Sequence, residues 1–122
     1  MGGRPRTTHA EHLTPPLKHQ VRIEPEASAE FEDAIPWYDK QHAGLGADFL
    51  GAVDATIAHV DRWPESAPPM LHVAAETPVR RVPVPRFPYG VVYLVVDDTI
   101  RILAFAHERR EPNYWHSRTG GR

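Results

Sequence analysis

Residues Arg80–Trp115 read RRVPVPRFPYGVVYLVVDDTIRILAFAHERREPNYW, and this stretch decides the fold. Tyr89 to Val96 and Thr99 to Ala106 are rich in β-branched and aromatic residues. The short turn Asp97-Asp98 joins them, which is the pattern of a β-hairpin. Val79 to Val84 alternates enough for a third strand. Pro83 has no N–H to give a ladder, so that strand belongs at a sheet edge. The margins of this apolar plate carry Arg80, Arg81, Arg86, His107, Arg109 and Arg110. Such a rim suits an anionic partner, because guanidinium forks match carboxylate and phosphate geometry. Val91–Val96 is apolar at both parities, so both faces of the plate require cover. The expectation is that helices of this chain roof one face and a companion chain takes the other.

Upstream, Lys18 to Glu24 predicts a short first strand with Val21 and Ile23 on one side. Pro25 suits a first helical position, and Glu26 and Glu30 suit the N-terminal end of a helix. Ala27, Phe31, Ala34, Ile35 and Tyr38 fall at helical spacing and form one apolar face. Pro36 interrupts this helix, and a kink or an early break is expected there. His42 to Gly46 holds two glycines in a turn short enough to make two helices antiparallel neighbours. A second helix follows from Gly46 to Arg62. Leu45, Phe49, Leu50, Val53, Ile57 and Val60 are its buried stripe, with Asp48, Asp54, His59 and Asp61 facing water. Pro64 ends it. In the loop to Pro78, Met70, Leu71 and Val73 are expected to tuck onto the core edge. Pro112 opens a short final helical turn.

The fold class is therefore α+β: an N-terminal strand, a two-helix antiparallel hairpin, a three-stranded antiparallel meander and a short C-terminal helix. Residues 1–17 are expected to be a disordered tail, 18–118 one domain, and 119–122 a frayed end. A chain of 122 residues is one domain by length. The net charge of −2 hides a division. Residues 1–78 hold six Lys and Arg against twelve Asp and Glu, and residues 79–122 hold eight against four. The hairpin half is basic and suits an acidic partner, either nucleic acid or protein. With no cysteine there is neither a disulfide framework nor a thiolate metal site. The eight His are scattered, and the pair His9 and His12 stands in the tail, so no metal or other cofactor is expected. No apolar run approaches the ~20 residues that cross a bilayer. No signal peptide opens the chain, and a cytoplasmic location is expected.

The text FPYGVVYLV at 87–95 and IRILAFAHERREPNYW at 100–115, with Trp37-Tyr38 and Gly44-Leu45-Gly46 upstream, resembles the RelE/ParE toxins of type II toxin–antitoxin systems. The ending His-x-x-Arg-x-Pro-x-Tyr-Trp, from His107 to Trp115, carries much of the likeness, which spans residues 18–118. The resemblance implies a small growth inhibitor bound and neutralised by a cognate antitoxin in a hetero-oligomer. Arg80, Arg81, Tyr89, Tyr93, Arg109 and Trp115 would then contact the partner. The open sheet face and the helix pair would be the docking ground.

Two activities are associated with the superfamily. RelE-like members cut mRNA in the ribosome without a metal. That chemistry needs the 2′-OH deprotonated, the phosphorane charge held and the leaving oxygen protonated. On this reading the catalytic set is Arg81, Arg86, His107, Arg110 and Tyr114. The arginines would clamp phosphate, His107 would serve as acid or base, and Tyr114 would bond or stack on a base. ParE-like members bind DNA gyrase instead. The sequence departs from the nuclease pattern at two places. Nucleases of this type carry Arg directly after the aromatic that opens the third strand, and here that place is Gly90. They carry two alternating lysines in the second strand, and here those places are Arg81 and Pro83. Losing one such donor costs about 10²–10³ in rate. The departures favour the gyrase-binding reading over the nuclease. A third possibility is a non-toxic module that only binds the partner.

Overall fold

A computed structural model of the protein describes residues 17–71, 73 and 76–120. All of the expected N-terminal tail but Leu17, including His9 and His12, lies outside the described residues, as do 121 and 122. The elements run β1 (Gln20–Ile23), α1 (Pro25–Gln41), α2 (Leu45–Arg62), β2 (Arg80–Pro83), β3 (Tyr89–Val96) and β4 (Thr99–His107), closed by a 3₁₀ turn (His116–Thr119). The expected α+β architecture is present. β2, β3 and β4 form the antiparallel meander, with Pro83 on the edge strand. β1 joins the opposite edge, parallel to β4, with Gln20 beside Thr99 and Ile23 beside Ile102.

Local chemistry explains the joints. Pro25 opens α1 behind an extended Glu24. The break expected at Pro36 does not occur, and α1 runs unbroken to Gln41. Pro36 and Glu32, whose carbonyl loses its usual donor, both lie on the exposed side, which leaves that carbonyl open to solvent. Gly44 takes φ 89° before α2, a conformation that glycine adopts without a steric cost. At Gly46 a Cβ would stand 2.7 Å from the Ile35 carbonyl oxygen. Its absence lets the two helices close on each other, with the Gly46 amide donating to Asp39 Oδ1 at 2.8 Å. The final turn forms later than Pro112 predicts. Asn113 sits at φ 61°, which breaks a right-handed path.

The sheet has two separate cores. On the helix side, Val91, Tyr93, Ile100, Ile102 and Phe105 pack against Ala27, Ala34, Tyr38, Phe49, Val53 and Val60. On the other side, Val79, Val92, Leu94, Leu103, Ala104 and Ala106 pack around Trp115, with Met70, Val73 and Tyr114 against them. A bulge makes this possible. Val92 pairs with Ala104 but Tyr93 pairs with Ile102, which leaves Leu103 as an extra residue in β4. Leu103 and Ala104, although consecutive, both belong to the second core.

This corrects the expectation that one sheet face awaits a companion chain. Trp115 is 2% exposed and seals the centre of that face from within. Three smaller expectations also change. Leu50 is exposed on α2, and Leu71 projects into solvent instead of tucking under. Asp61 does not face water: it is buried, and it ties the start of β1 to the end of α2. Its carboxylate accepts the amides of Lys18 and His19 at 2.7 Å each, and His19 Nδ1 lies 2.9 Å away.

Burial pushes the Asp61 carboxyl up, but the bonds from the Lys18 amide, the His19 ring and the His19 amide outweigh it and hold it below its ordinary value of 3.8. A depressed carboxylate stabilises the fold above its unfolded-state pKa, and that contribution fades as pH falls through the folded-state value. Asp61→Asn should therefore cost about 1–3 kcal/mol at pH 7 in denaturant unfolding. The gap between the variant and the parent should shrink as pH is taken below 3.8.

Candidate functional site

On the face that carries Trp115, Arg81 of β2 reaches across Gly90 of β3 toward the end of β4 and the loop after it. There Arg81, His107, Arg110 and Tyr114 line one cleft of about 240 Å³, with Glu108 and Glu111 on its rim. Four of the five residues expected for phosphate chemistry thus come together. The fifth, Arg86, does not. It sits in the β2–β3 turn at φ 72°, largely exposed, 3.9 Å from Asp48 and over the Phe87 ring.

The residues expected at a partner surface divide differently. Alternation along β2 sends Arg80 to the face opposite Arg81. Its guanidinium donates to the Ala67 carbonyl at 2.6 Å. Tyr93, directly across from it, is fully buried and donates to the Pro64 carbonyl at 2.7 Å. Trp115 is the plug of the second core. Tyr93 and Trp115 are therefore interior residues, a correction to their expected role. Arg80 ties down the loop after α2. Tyr89 is half-buried and Arg109 is exposed, so both remain accessible.

A carboxylate that sequence reasoning treated only as a helix-start acid organises the site. Glu30, on α1, accepts the Tyr114 hydroxyl at 2.7 Å and the Phe105 amide at 3.0 Å. Arg118 donates to it at 3.2 Å, and Arg110 approaches to 4.0 Å. The Arg110 guanidinium stacks 3.7 Å from the Tyr114 ring centroid. Burial, then the bond to Glu30 and its charge, push the Tyr114 phenol far up from its ordinary value. Tyr114 therefore stays a donor. No spacing rule could have found Glu30, because its partners lie 75 to 88 residues away.

The ParE toxin model of the type II parDE toxin–antitoxin system matches residues 21–112, which is well over half of the chain. The chain belongs to the ParE toxin family. No curated protein matches it. Among solved structures, a chain of the chromosomal ParDE toxin–antitoxin system from P. aeruginosa is similar at a TM-score of 0.62 and 14% identity. The alignment covers 74% of this chain and 96% of that one. At that identity the likeness speaks for the fold.

In this ParE-family member Arg81, His107 and Arg110 each have a contact within the fold, and the Arg110 side chain stays half exposed. The Arg81 guanidinium lies across Gly90, and a Cβ at position 90 would stand 2.5 Å from its Cζ and Nε. Its Nη2 reaches the Ala106 carbonyl at 3.4 Å. His107 Nδ1 accepts the Arg109 amide at 3.0 Å, which leaves the ring proton on Nε2. Among the described residues, no group of three or more His, Cys, Asp or Glu could hold a metal ion. No helix there is long and apolar enough to cross a membrane.

Two outcomes follow for stability. Glu30→Gln should cost about 1.5–3 kcal/mol, since charge-assisted bonds to Arg118 and Tyr114 weaken together. Hydrogen exchange should register faster loss of protection at the Phe105 amide. Gly90→Ala should shift the flexible Arg81 head group at a cost of at most about 1 kcal/mol. Combined with Arg81→Ala it should be neutral or stabilising, because alanine loses less backbone entropy than glycine. A double-mutant cycle by urea unfolding reads this coupling.

Proposed function

We propose that this toxin arrests growth in the cytoplasm by binding DNA gyrase, and that a cognate antitoxin neutralises it in a hetero-oligomer. The observation that carries the reading is Gly90 under Arg81. The place where the nuclease pattern sets an arginine holds no side chain, and the neighbouring guanidinium folds down over it. Pro83 supplies no charge, and Arg86 stands apart from the cleft. Phosphate chemistry would rest on Arg81, Arg110 and His107, and of these Arg81 leans on the Ala106 carbonyl and Arg110 is drawn toward Glu30 and stacked on Tyr114. A protein-binding toxin needs no free phosphate clamp.

The competing nuclease reading draws on the same cleft, because Arg81, His107, Arg110 and Tyr114 do line it together. One experiment separates the two. The chain is induced without its partner, and DNA supercoiling, replication and translation are followed in time. Under the gyrase reading, supercoiling and replication fail first. The purified chain then inhibits gyrase in vitro, and Arg81→Ala and His107→Ala leave growth arrest intact. Cleavage of mRNA on programmed ribosomes, abolished by either substitution, would replace this reading with the nuclease one. Absence of any growth arrest would leave only the partner-binding module.

A further inference from the structure

A second groove, of about 500 Å³, opens between α1 and the start of β3. Its walls are Trp37, Tyr38, Tyr89 and His107, and Glu30 and Asp33 stand at its edge. The rings run in series. Centroids step 5.1 Å from Trp37 to Tyr38, 6.3 Å to Tyr89 and 5.0 Å to His107. Trp37 is 57% exposed, the least covered aromatic on α1. A tryptophan face in water beside a carboxylate that pairs with none of the described residues has a definite chemical preference. The quadrupole of the ring and the charge of Asp33 both attract a cation, and a guanidinium satisfies both at once.

The chain displays the completed arrangement on the other side of Glu30. There the Tyr114 ring, the Glu30 carboxylate and the Arg110 and Arg118 guanidiniums form a closed set, with Arg110 stacked at 3.7 Å and Arg118 at 5.2 Å. The groove has the Trp37 ring and the Asp33 carboxylate, and among the described residues no cation joins these two. Among the described residues, no Arg or Lys stacks on Trp37 or Tyr89, and none pairs with Asp33. Aromatic rings in series would also suit nucleobases, but a nucleotide brings phosphates, and this rim offers the Asp33 carboxylate.

We propose that the Trp37–Tyr89 groove receives an arginine side chain of the cognate antitoxin, stacked on Trp37 and paired with Asp33. The proposal rests on the reading of the chain as an antitoxin-bound toxin, and it names the chemistry of one anchor in that complex. Aromatic anchors of this kind dominate the energy of lasting interfaces, while most contacts around them contribute little. The antitoxin, although it faces a basic rim elsewhere, thus needs a basic residue among apolar ones for this site.

The test uses the full chain and the product of the neighbouring reading frame. Trp37→Ala and Asp33→Lys are compared with the parent for affinity in every case, and for neutralisation wherever the variant still arrests growth. Both should escape neutralisation, with affinity for the purified antitoxin weakened by at least about tenfold. Trp37→Phe, which keeps a ring, should recover most of it. One arginine of the antitoxin, replaced by alanine, should lose as much, and the loss should not add to that of Trp37→Ala. Unchanged neutralisation and affinity in both variants would overturn the proposal.

A second measurement stands apart from toxicity, so a parent chain that fails to arrest growth does not decide it. N-acetylarginine methylamide is titrated into the purified chain while the Trp37 indole resonance is followed by NMR. It should shift that resonance, the glutamate analogue should not, and Asp33→Asn should abolish the response. A resonance that ignores arginine, or that moves with adenosine monophosphate instead, would also overturn it.

Discussion

The bare edge of β4 is the constraint on which this fold turns. β1 spans four residues and β4 spans nine, so the parallel pairing stops at Ile102. Beyond that point the main chain of β4 would present unpaired groups beside a hydrophobic core, an expensive arrangement. Two side chains take over from the missing strand. Glu30 accepts the Phe105 amide, and Arg118 donates to the Leu103 carbonyl at 2.9 Å. Because Glu30 and Arg118 also pair with each other, the edge, α1 and the C-terminal segment become one unit. Arg101 completes it by holding Glu24 at 2.9 Å and donating to the carbonyls of Arg118, Thr119 and Gly120. Thr119 and Gly120, expected at the start of a frayed end, each offer a carbonyl to Arg101.

Much of the scaffold was legible in local pattern. The hairpin needed only β-branched runs and a two-residue turn. The helix pair needed an apolar stripe, a proline at one end and glycines at the bend. Local rules failed where side chains reach across the molecule. Asp61 looked like a solvent residue by helical phase, yet its partners, Lys18 and His19, arrive from more than 40 residues upstream. Period-two reasoning noticed that Val91–Val96 needed cover on both faces. It could not foresee that Trp115 would supply that cover, because the Leu103 bulge resets the phase of β4 halfway along.

The candidate site divides along the same line. The grouping of Arg81, His107, Arg110 and Tyr114 was legible, since strand ends and the following loop bring them together. Their internal partners were not, because those depend on Glu30 and on the bare backbone at Gly90. Tyr93 and Trp115 illustrate the converse error. An aromatic on a strand or tail reads equally well as a grip for a partner or as filling, and only the neighbours decide.

The plug formed by Trp115 has a genetic corollary. In many small domains the segment after the last strand is trimming, and a stop codon just past that strand yields a slightly shortened, working product. Here such a stop would strip the lining from Val92, Leu94 and Leu103 and release Glu30 from Arg118 and Tyr114. The product should be strongly destabilised and expose apolar surface, which makes it a good substrate for proteases. The codons for 114–118 are thus as vital to the architecture as those for the hairpin.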